Sequence, residues 1–318
     1  MRPLIAALCV SAAPLAAETP VLDLPIDCVP GRTCYIEDYV DHDPAPGRQR
    51  DFACGINSRD GHKGTDIALL SFDAMEAGVE VRAAAPGTVL RMRDGMVDDY
   101  TMPGVTDDNA CGNAAIIDHG DGWQTLYCHM KQGSVSVTPG QEVKAGDRLG
   151  LVGLSGQTTH PHVHLTVYHD GALVDPFRPD ASLDSCGDSA GTLWADPPTY
   201  YRTGLVTAGF STSVPSLAAV GDGSARVTET APDSPLVVYA HAGHAEPGDV
   251  LTIRARDPQG TEIFRTEETL TDPQVSQMRA FGRKAPPGGW PAGAYLGEAT
   301  LTRDGTVIAH RNAHVTVE

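Results

Sequence analysis

Basic residues are scarce in this chain: 23 Lys and Arg stand against 41 Asp and Glu, a formal net charge of −18 over 318 residues. That balance excludes the basic surface demanded by nucleic acid or by an anionic membrane, so no nucleic-acid partner is expected. Aromatics are few, at 6%. Long apolar runs of helical period are absent, which argues against a helical bundle. There is no CxxC pair, which removes the usual zinc–thiolate framework. There is no HExxH, which removes the helix-borne zinc peptidase site. "GLVGLSGQT" lacks the G-x-S-x-G spacing and the strand–elbow–helix setting of a nucleophilic serine. No internal repeat or low-complexity tract appears.

Glycine and proline are plentiful, 34 and 24 residues. They separate short runs of alternating apolar and polar residues, so the expected fold class is mainly β. The first 17 residues of "MRPLIAALCVSAAPLAAETP" have one basic residue, an apolar run and then small residues, the layout of a secretory signal peptide with cleavage near Ala17. The run is short for a membrane span. Cys9 is preceded by Leu8 rather than the small residue of a lipoprotein site, and no second apolar segment follows. The expected mature form is exported, periplasmic or extracellular, without an integral membrane segment.

Six cysteines remain beyond Cys9, and an even number in an exported chain reads as disulfides. They allow fifteen pairings. The expected set is Cys28–Cys34 and Cys111–Cys128, both local, with Cys54–Cys186 tying together the ends of a central domain.

Four segments follow from the pattern: the signal peptide at 1–17, a Cys-stapled N-terminal arm at 18–50, a compact antiparallel β domain at 51–187, and a smaller β-sandwich of immunoglobulin-like kind at 188–318. One or two helical turns fit "LSFDAMEAG". The looser "FRPDASLDSCGDSAGTLWADPPTYY" reads as a connection between the last two units, and "TRDGTVI" as a tight hairpin.

The histidines carry the chemistry. In "HPHVHLTV", His162 and His164 lie two apart on a strand and share one face about 7 Å apart, while Val163 and Leu165 face the core. Pro161 sets His160 outside the strand. In "GHKGTDIAL", His62 and Asp66 would stand about 13 Å apart on a straight strand, too far for one metal, so convergence requires a bend, for which Gly64 is the place. His129 closes "LYCHM". His119 and His169 flank turns, and His241 and His244 in "AHAGH" have no acid or third histidine near them in sequence.

"HKGTDIA", "AAAPGTVLRMRDG", "AAIIDHGDGWQTLYCHM", "VTPGQEVKAGDRLGLVGLSG" and "HPHVHLTV" together resemble the lysostaphin/LytM-type zinc metalloendopeptidases in order and spacing, over roughly Gly61 to Pro176. The resemblance implies that His62, Asp66 and His164 are ligands of Zn2+. It implies that His129 and His162 are the two unliganded catalytic histidines, His162 as general base and His129 as stabiliser of the oxyanion. It implies hydrolysis, by a zinc-activated water, of amide bonds in the stem and cross-linking peptides of peptidoglycan, with oligoglycine bridges the other target class. A histidine stands at 160 where the family commonly has glycine. The rival implication is a catalytically silent member that binds and activates another wall hydrolase. Such members lack one or more ligands, whereas all five positions are filled here. The C-terminal domain is left as a surface for a protein partner. Ligand type and family together favour zinc, although copper or nickel binds such donors too.

Overall fold

The computed structural model describes residues 19–318. The expected signal peptide and Cys9 lie outside the described residues. Among the described residues, no helix is long and apolar enough to cross a membrane.

The first body comprises β1 (Cys34–Asp38), β2 (Thr65–Leu69), α1 (Phe72–Ala77), β3 (Glu80–Arg82), β4 (Gly87–Arg93), β5 (Asn113–Gly120), β6 (Trp123–Met130), β7 (Glu142–Val143), β8 (Arg148–Leu151), β9 (His162–His169) and β10 (Ala172–Val174). Eight of these strands form one sheet, all of its pairings antiparallel, in the order β1-β2-β9-β6-β5-β4-β7, with β10 on the end of β9. β3 and β8 make a separate pair. Alternation explains β9: Val163, Leu165 and Val167 are buried in the core with Ile67 and Tyr127, and the intervening His162, His164 and Thr166 face the other way. Each such buried aliphatic side chain contributes roughly 1.5–3 kcal/mol.

The second body comprises β11 (Gly204–Ser211), α2 (Leu217–Gly221), β12 (Glu229–Thr230), β13 (Leu236–Ala245), β14 (Val250–Arg256), β15 (Glu262–Thr269), β16 (Gln274–Arg283), β17 (Gly293–Arg303) and β18 (Thr306–Val317). Its two main sheets run β11-β13-β16 and β12-β18-β17-β14-β15. They share an apolar core of Phe210, Val238, Ile253, Phe264, Tyr295 and their neighbours. β14 shows the period-two pattern plainly, with Leu251, Ile253 and Ala255 inward.

Packing divides the chain differently from its composition. The stretch 18–50 does not stand apart as an arm: β1 pairs with β2 inside the main sheet, and Leu22, Ile26 and Tyr39 are buried in the first core. Leu193 and Trp194, beyond the expected boundary at 188, belong to that core too. Apolar residues that the composition made look like punctuation are anchors for otherwise irregular backbone. The cysteines pair as expected, Cys28–Cys34, Cys54–Cys186 and Cys111–Cys128. The two bodies meet along β1 and β18: the Tyr35 hydroxyl donates to the His310 carbonyl (2.8 Å), and Arg311 lies against Glu37 and Asp38.

Candidate metal centre

Register assembles the first part of the site. β2 and β9 are antiparallel neighbours with Asp66 opposite His164 and Ala68 opposite His162. Facing residues in such a pair emerge on one side of the sheet, which puts the carboxylate beside the imidazole. His62 arrives from outside the sheet. A turn closed by the His62 N–H on the Arg59 carbonyl (2.9 Å) delivers it, and β2 begins only at Thr65. The long straight-strand separation of His62 and Asp66 therefore never arises. His62 Nε2 lies 3.0 Å from Asp66 Oδ2 and 3.2 Å from His164 Nδ1, and His164 Nδ1 lies 2.6 Å from Asp66 Oδ1. One ligand atom from each of the three lies within 4.8 Å of the others, and this is the group of that kind among the described residues. Gly64 is needed for space: a Cβ there would come within 2.6 Å of the His164 ring and of the Leu165 carbonyl.

Backbone carbonyls set the tautomers. A carbonyl only accepts, so a ring nitrogen at hydrogen-bond distance from one carries the proton. His62 Nδ1 lies 2.8 Å from the Tyr39 carbonyl, His129 Nδ1 2.8 Å from that of Ser155, and His162 Nδ1 2.9 Å from that of His160. All three therefore present a lone pair at Nε2, and for His62 that lone pair faces Asp66 and His164. His164 uses its rings the other way round: Nε2 is bonded to the Thr166 hydroxyl (2.9 Å) and Nδ1 faces the cluster. Such outer hydrogen bonds orient metal-binding imidazoles and raise their basicity.

His129 holds an unusual backbone, φ +62°, in the left-handed region that non-glycine residues seldom adopt. Its N–H is bonded to the Cys111 carbonyl and its carbonyl accepts from Gly153, beside the Cys111–Cys128 disulfide. The ring then lies 4.7 Å from that of His162 and 6.1 Å from that of His164, centroid to centroid. Burial, with repulsion from His162 and His164 added, holds the His129 imidazole well below its ordinary pKa. Burial pushes the Asp66 carboxyl up, but the surrounding imidazoles of His62, His162 and His164 outweigh it and hold Asp66 well below the usual carboxylate range.

The residues fit a divalent metal with nitrogen and oxygen ligands. Two imidazoles and one carboxylate converge, the catalytic three-ligand pattern of zinc. His162 Nε2 is buried, has no hydrogen-bond partner, and lies 3.6 Å from Asp66 Oδ2. A lone pair in that state is one that a metal-site ligand or substrate would satisfy. His62, His129 and His164 line an open groove of about 520 Å³, together with Lys63, Gln157 and Tyr168.

Residues 60–176, which hold all five of these side chains, match Peptidase family M23. This segment is thus similar to an M23 peptidase domain. It is 32% identical over 102 residues to the cell division protein DipM of Caulobacter vibrioides, covering 32% of this chain and 16% of that protein. It is 30% identical over 124 residues to the peptidoglycan DD-endopeptidase ShyA of Vibrio cholerae, covering 39% of this chain and 24% of that protein. The chain thus spans a quarter or less of the length of these curated relatives. Among solved structures, the catalytic domain of lysostaphin from Staphylococcus simulans aligns at 24% identity and a TM-score of 0.28, over 36% of this chain and 76% of that one.

Other histidines stay outside the M23 cluster. His160 is buried between the Leu69 carbonyl (2.6 Å) and the Asn312 amide (2.6 Å), a seam residue between the two bodies rather than a rim residue of the sheet. His119 bridges the Pro86 carbonyl and Thr125, and His169 stacks on Trp123. His241 meets Ser276 on β16, and His244 lies on β13 next to Gly243, which abuts Ile56 of the first body. Residues around the M23 site that the sequence did not single out are Arg59, which donates to Asp66 Oδ2 and to Asp38 (2.6 Å), and Tyr39 and Ser155, whose carbonyls accept from the His62 and His129 rings. "SRDGH" offered a cation next to a ligand as the one visible signal; a backbone carbonyl leaves none.

Proposed function

We propose that this chain is an exported zinc metalloendopeptidase that hydrolyses amide bonds in the peptide part of peptidoglycan. The observation that carries the reading is the meeting of His62, Asp66 and His164 within ligand distance, with His129 lining the same groove and the buried Nε2 of His162 3.6 Å from Asp66 Oδ2. Likeness to relatives named as peptidoglycan DD-endopeptidases supports the substrate class. Three disulfides agree with a compartment outside the cytoplasm.

His62, Asp66 and His164 would hold the ion. Bound there, zinc supplies Lewis acidity toward the scissile carbonyl and acidifies water toward pH 7. Asp66 contributes the single negative charge of the ligand set, and Arg59 and the outer carbonyls keep its geometry. His162 takes the proton of the attacking water at Nε2, which lies 3.6 Å from the Asp66 carboxylate. His162 then returns that proton to the departing amine. The tautomer alters the role expected for His129. With its proton on Nδ1 and given to Ser155, Nε2 has none to donate to an oxyanion, so His129 acts as an acceptor that orients the attacking water.

The test is mass analysis of cross-linked peptidoglycan after incubation with the oxidised, zinc-loaded chain. His162→Ala and a chelated sample run alongside. Disappearance of cross-linked fragments in the first sample alone is the expected result, and the product masses name the bond. Intact cross-links in all three would replace the peptidase reading with a non-enzymatic activator of another hydrolase.

A further inference from the structure

A second cavity opens behind His162, on the seam between the M23 domain and the β-sandwich. It measures about 230 Å³ and is walled by Arg59, Thr158 and His162 on one side and by Thr207, Arg226 and Asn312 on the other. A site that engulfs a whole small molecule takes roughly 300–1,000 Å³. This one has room for the end of a chain.

Its charges are unequal. Three arginines and two acids line it, and both acids are already engaged: Asp38 by Arg59 (2.6 Å) and Arg311 (2.9 Å), Glu37 by Arg311 (2.8 Å). Arg226 has no ion-pair partner among the described residues. Its Nη2 is anchored on the Thr207 hydroxyl (2.9 Å) and the Ala208 carbonyl (3.2 Å), and its other N–H groups make no hydrogen bond among those residues. The guanidinium is thus fixed at one corner with donors to spare, the form in which arginine captures a carboxylate.

Asn312 supplies the complementary group. The Leu69 carbonyl lies 2.6 Å from His160 Nε2 and so fixes the ring proton there, which makes His160 Nδ1 an acceptor. The Asn312 amide must turn its NH2 to that nitrogen (2.6 Å), and its Oδ1 is left buried without a hydrogen-bond partner. A buried acceptor in that state costs stability unless a ligand's N–H satisfies it. One guanidinium for a carboxylate and one bare carbonyl for an N–H, in a cavity sized for an end group, describe the last residue of a peptide.

We infer that the seam cavity is a subsite for the free C-terminal carboxylate of a peptide substrate, with Arg226 as its anchor and Asn312 Oδ1 accepting from the terminal amide N–H. His162 lines this cavity and lies 3.6 Å from Asp66 of the metal cluster, so a terminal residue seated here lies beside the amide presented to the cluster. The β-sandwich thereby completes the site: β11, β18 and Arg226 furnish one wall of the cavity. The identity of the ligand as substrate rests on the proposed peptidase reading; the existence of the subsite does not.

Calorimetric titration of the chelator-treated full chain tests this with N-acetyl-dialanine, in D,D and L,L forms, against the same peptides with amidated C-termini. Arg226 is exposed, so Arg226→Gln is expected to fold normally, with an unchanged melting temperature as the check. At least one acid form should bind at least tenfold more tightly than its amide. Arg226→Gln should abolish that preference, and Arg226→Lys should restore part of it. Equal binding of acid and amide, no binding of either, or an unchanged preference in Arg226→Gln overturns the subsite. Peptidoglycan digestion by the zinc-loaded samples separates the two readings. Cleavage with the same KM in wild type and Arg226→Gln removes the subsite and keeps the peptidase. Acid-selective binding that depends on Arg226, without cleavage, keeps the subsite and removes the peptidase.

Discussion

Arg311, on the last strand of the β-sandwich, lies 2.9 Å from Asp38 of the first sheet, and the same Asp38 carboxylate lies 2.6 Å from Arg59. Arg59 in turn donates to Asp66, the carboxylate at the centre of the metal cluster. A row of alternating charges thus joins the accessory body to a proposed metal ligand. Asp38 is almost fully buried, at 1% exposure, so it depends on both partners.

Arg311→Gln should therefore act on stability and on the metal together. Leaving a buried charge wholly unpaired costs about 3–5 kcal/mol. Arg59 remains beside Asp38 here, so a smaller loss, on the order of 2 kcal/mol, is expected in urea unfolding. Loosening Arg59 should also weaken zinc retention by about tenfold, the lower end for residues that support ligands. Competition with a chromophoric chelator measures this, and unchanged affinity in a destabilised variant would reduce Arg311 to a purely structural contact.

Gly64→Ala should disable the cluster while sparing the fold. The added methyl would sit 2.6 Å from the His164 ring and from the Leu165 carbonyl, so either the ring leaves the cluster or β9 shifts. Overpacking of this kind costs roughly 1–3 kcal/mol. The expected outcome is at least a tenfold loss of zinc affinity with a cooperative melt retained; wild-type affinity would show that the ring has room to retreat without leaving the site.

The strand-borne half of the site was legible because it depends on local rules. Parity put His162 and His164 on one face and Val163 and Leu165 on the other, and an apolar-rich β2 next to them is what a central strand pair requires. His62 and Asp66 were harder, since spacing alone set them apart and only a bend before Thr65 brings them together. The seam was illegible. Asn312 and His160 are 152 residues apart, and Arg311 and Asp38 are 273 apart, and no periodicity encodes such meetings. For the same reason Leu22 and Trp194 read as loop residues, although they bridge to one another and fill the first core.

Acid should weaken the seam first. His310 on β18 is buried against Tyr35, Thr300 and His160, and burial, with repulsion from His160, pushes its pKa down to about 3; burial likewise takes His314 to about 4. Both folded values lie below the unfolded value near 6.5, so the unfolded chain binds protons that the folded chain refuses. The stability held by the neutral rings is complete above about pH 6.5 and is lost as pH falls toward 4 and then 3. The loss for His310 is up to about 1.4 kcal/mol per pH unit. Urea midpoints recorded between pH 7 and 4 should decline, and His310→Gln should flatten the slope. A variant with the wild-type slope would place the acid sensitivity elsewhere.

The Cys111–Cys128 crosslink should matter to catalysis beyond its stability. It closes a loop of 17 residues, worth roughly 3 kcal/mol by the loop-entropy relation. It also borders His129 on both sides, since Cys128 precedes it in the chain and the Cys111 carbonyl receives its N–H (2.9 Å). That clamp holds the left-handed backbone which aims the imidazole at the groove. Replacing both cysteines by serine should lower the melting temperature and lower kcat by about tenfold, a part of the roughly 10²–10⁴-fold that a positioned acid–base group contributes. Zinc content should change less than kcat, because the β6–β9 pairing that sets Cys128 opposite His164 does not depend on the crosslink. Removal of Cys28–Cys34, at the far edge of β1, should reduce stability with little change in kcat. Equal effects of the two removals on kcat would mean that His129 is held by the sheet alone.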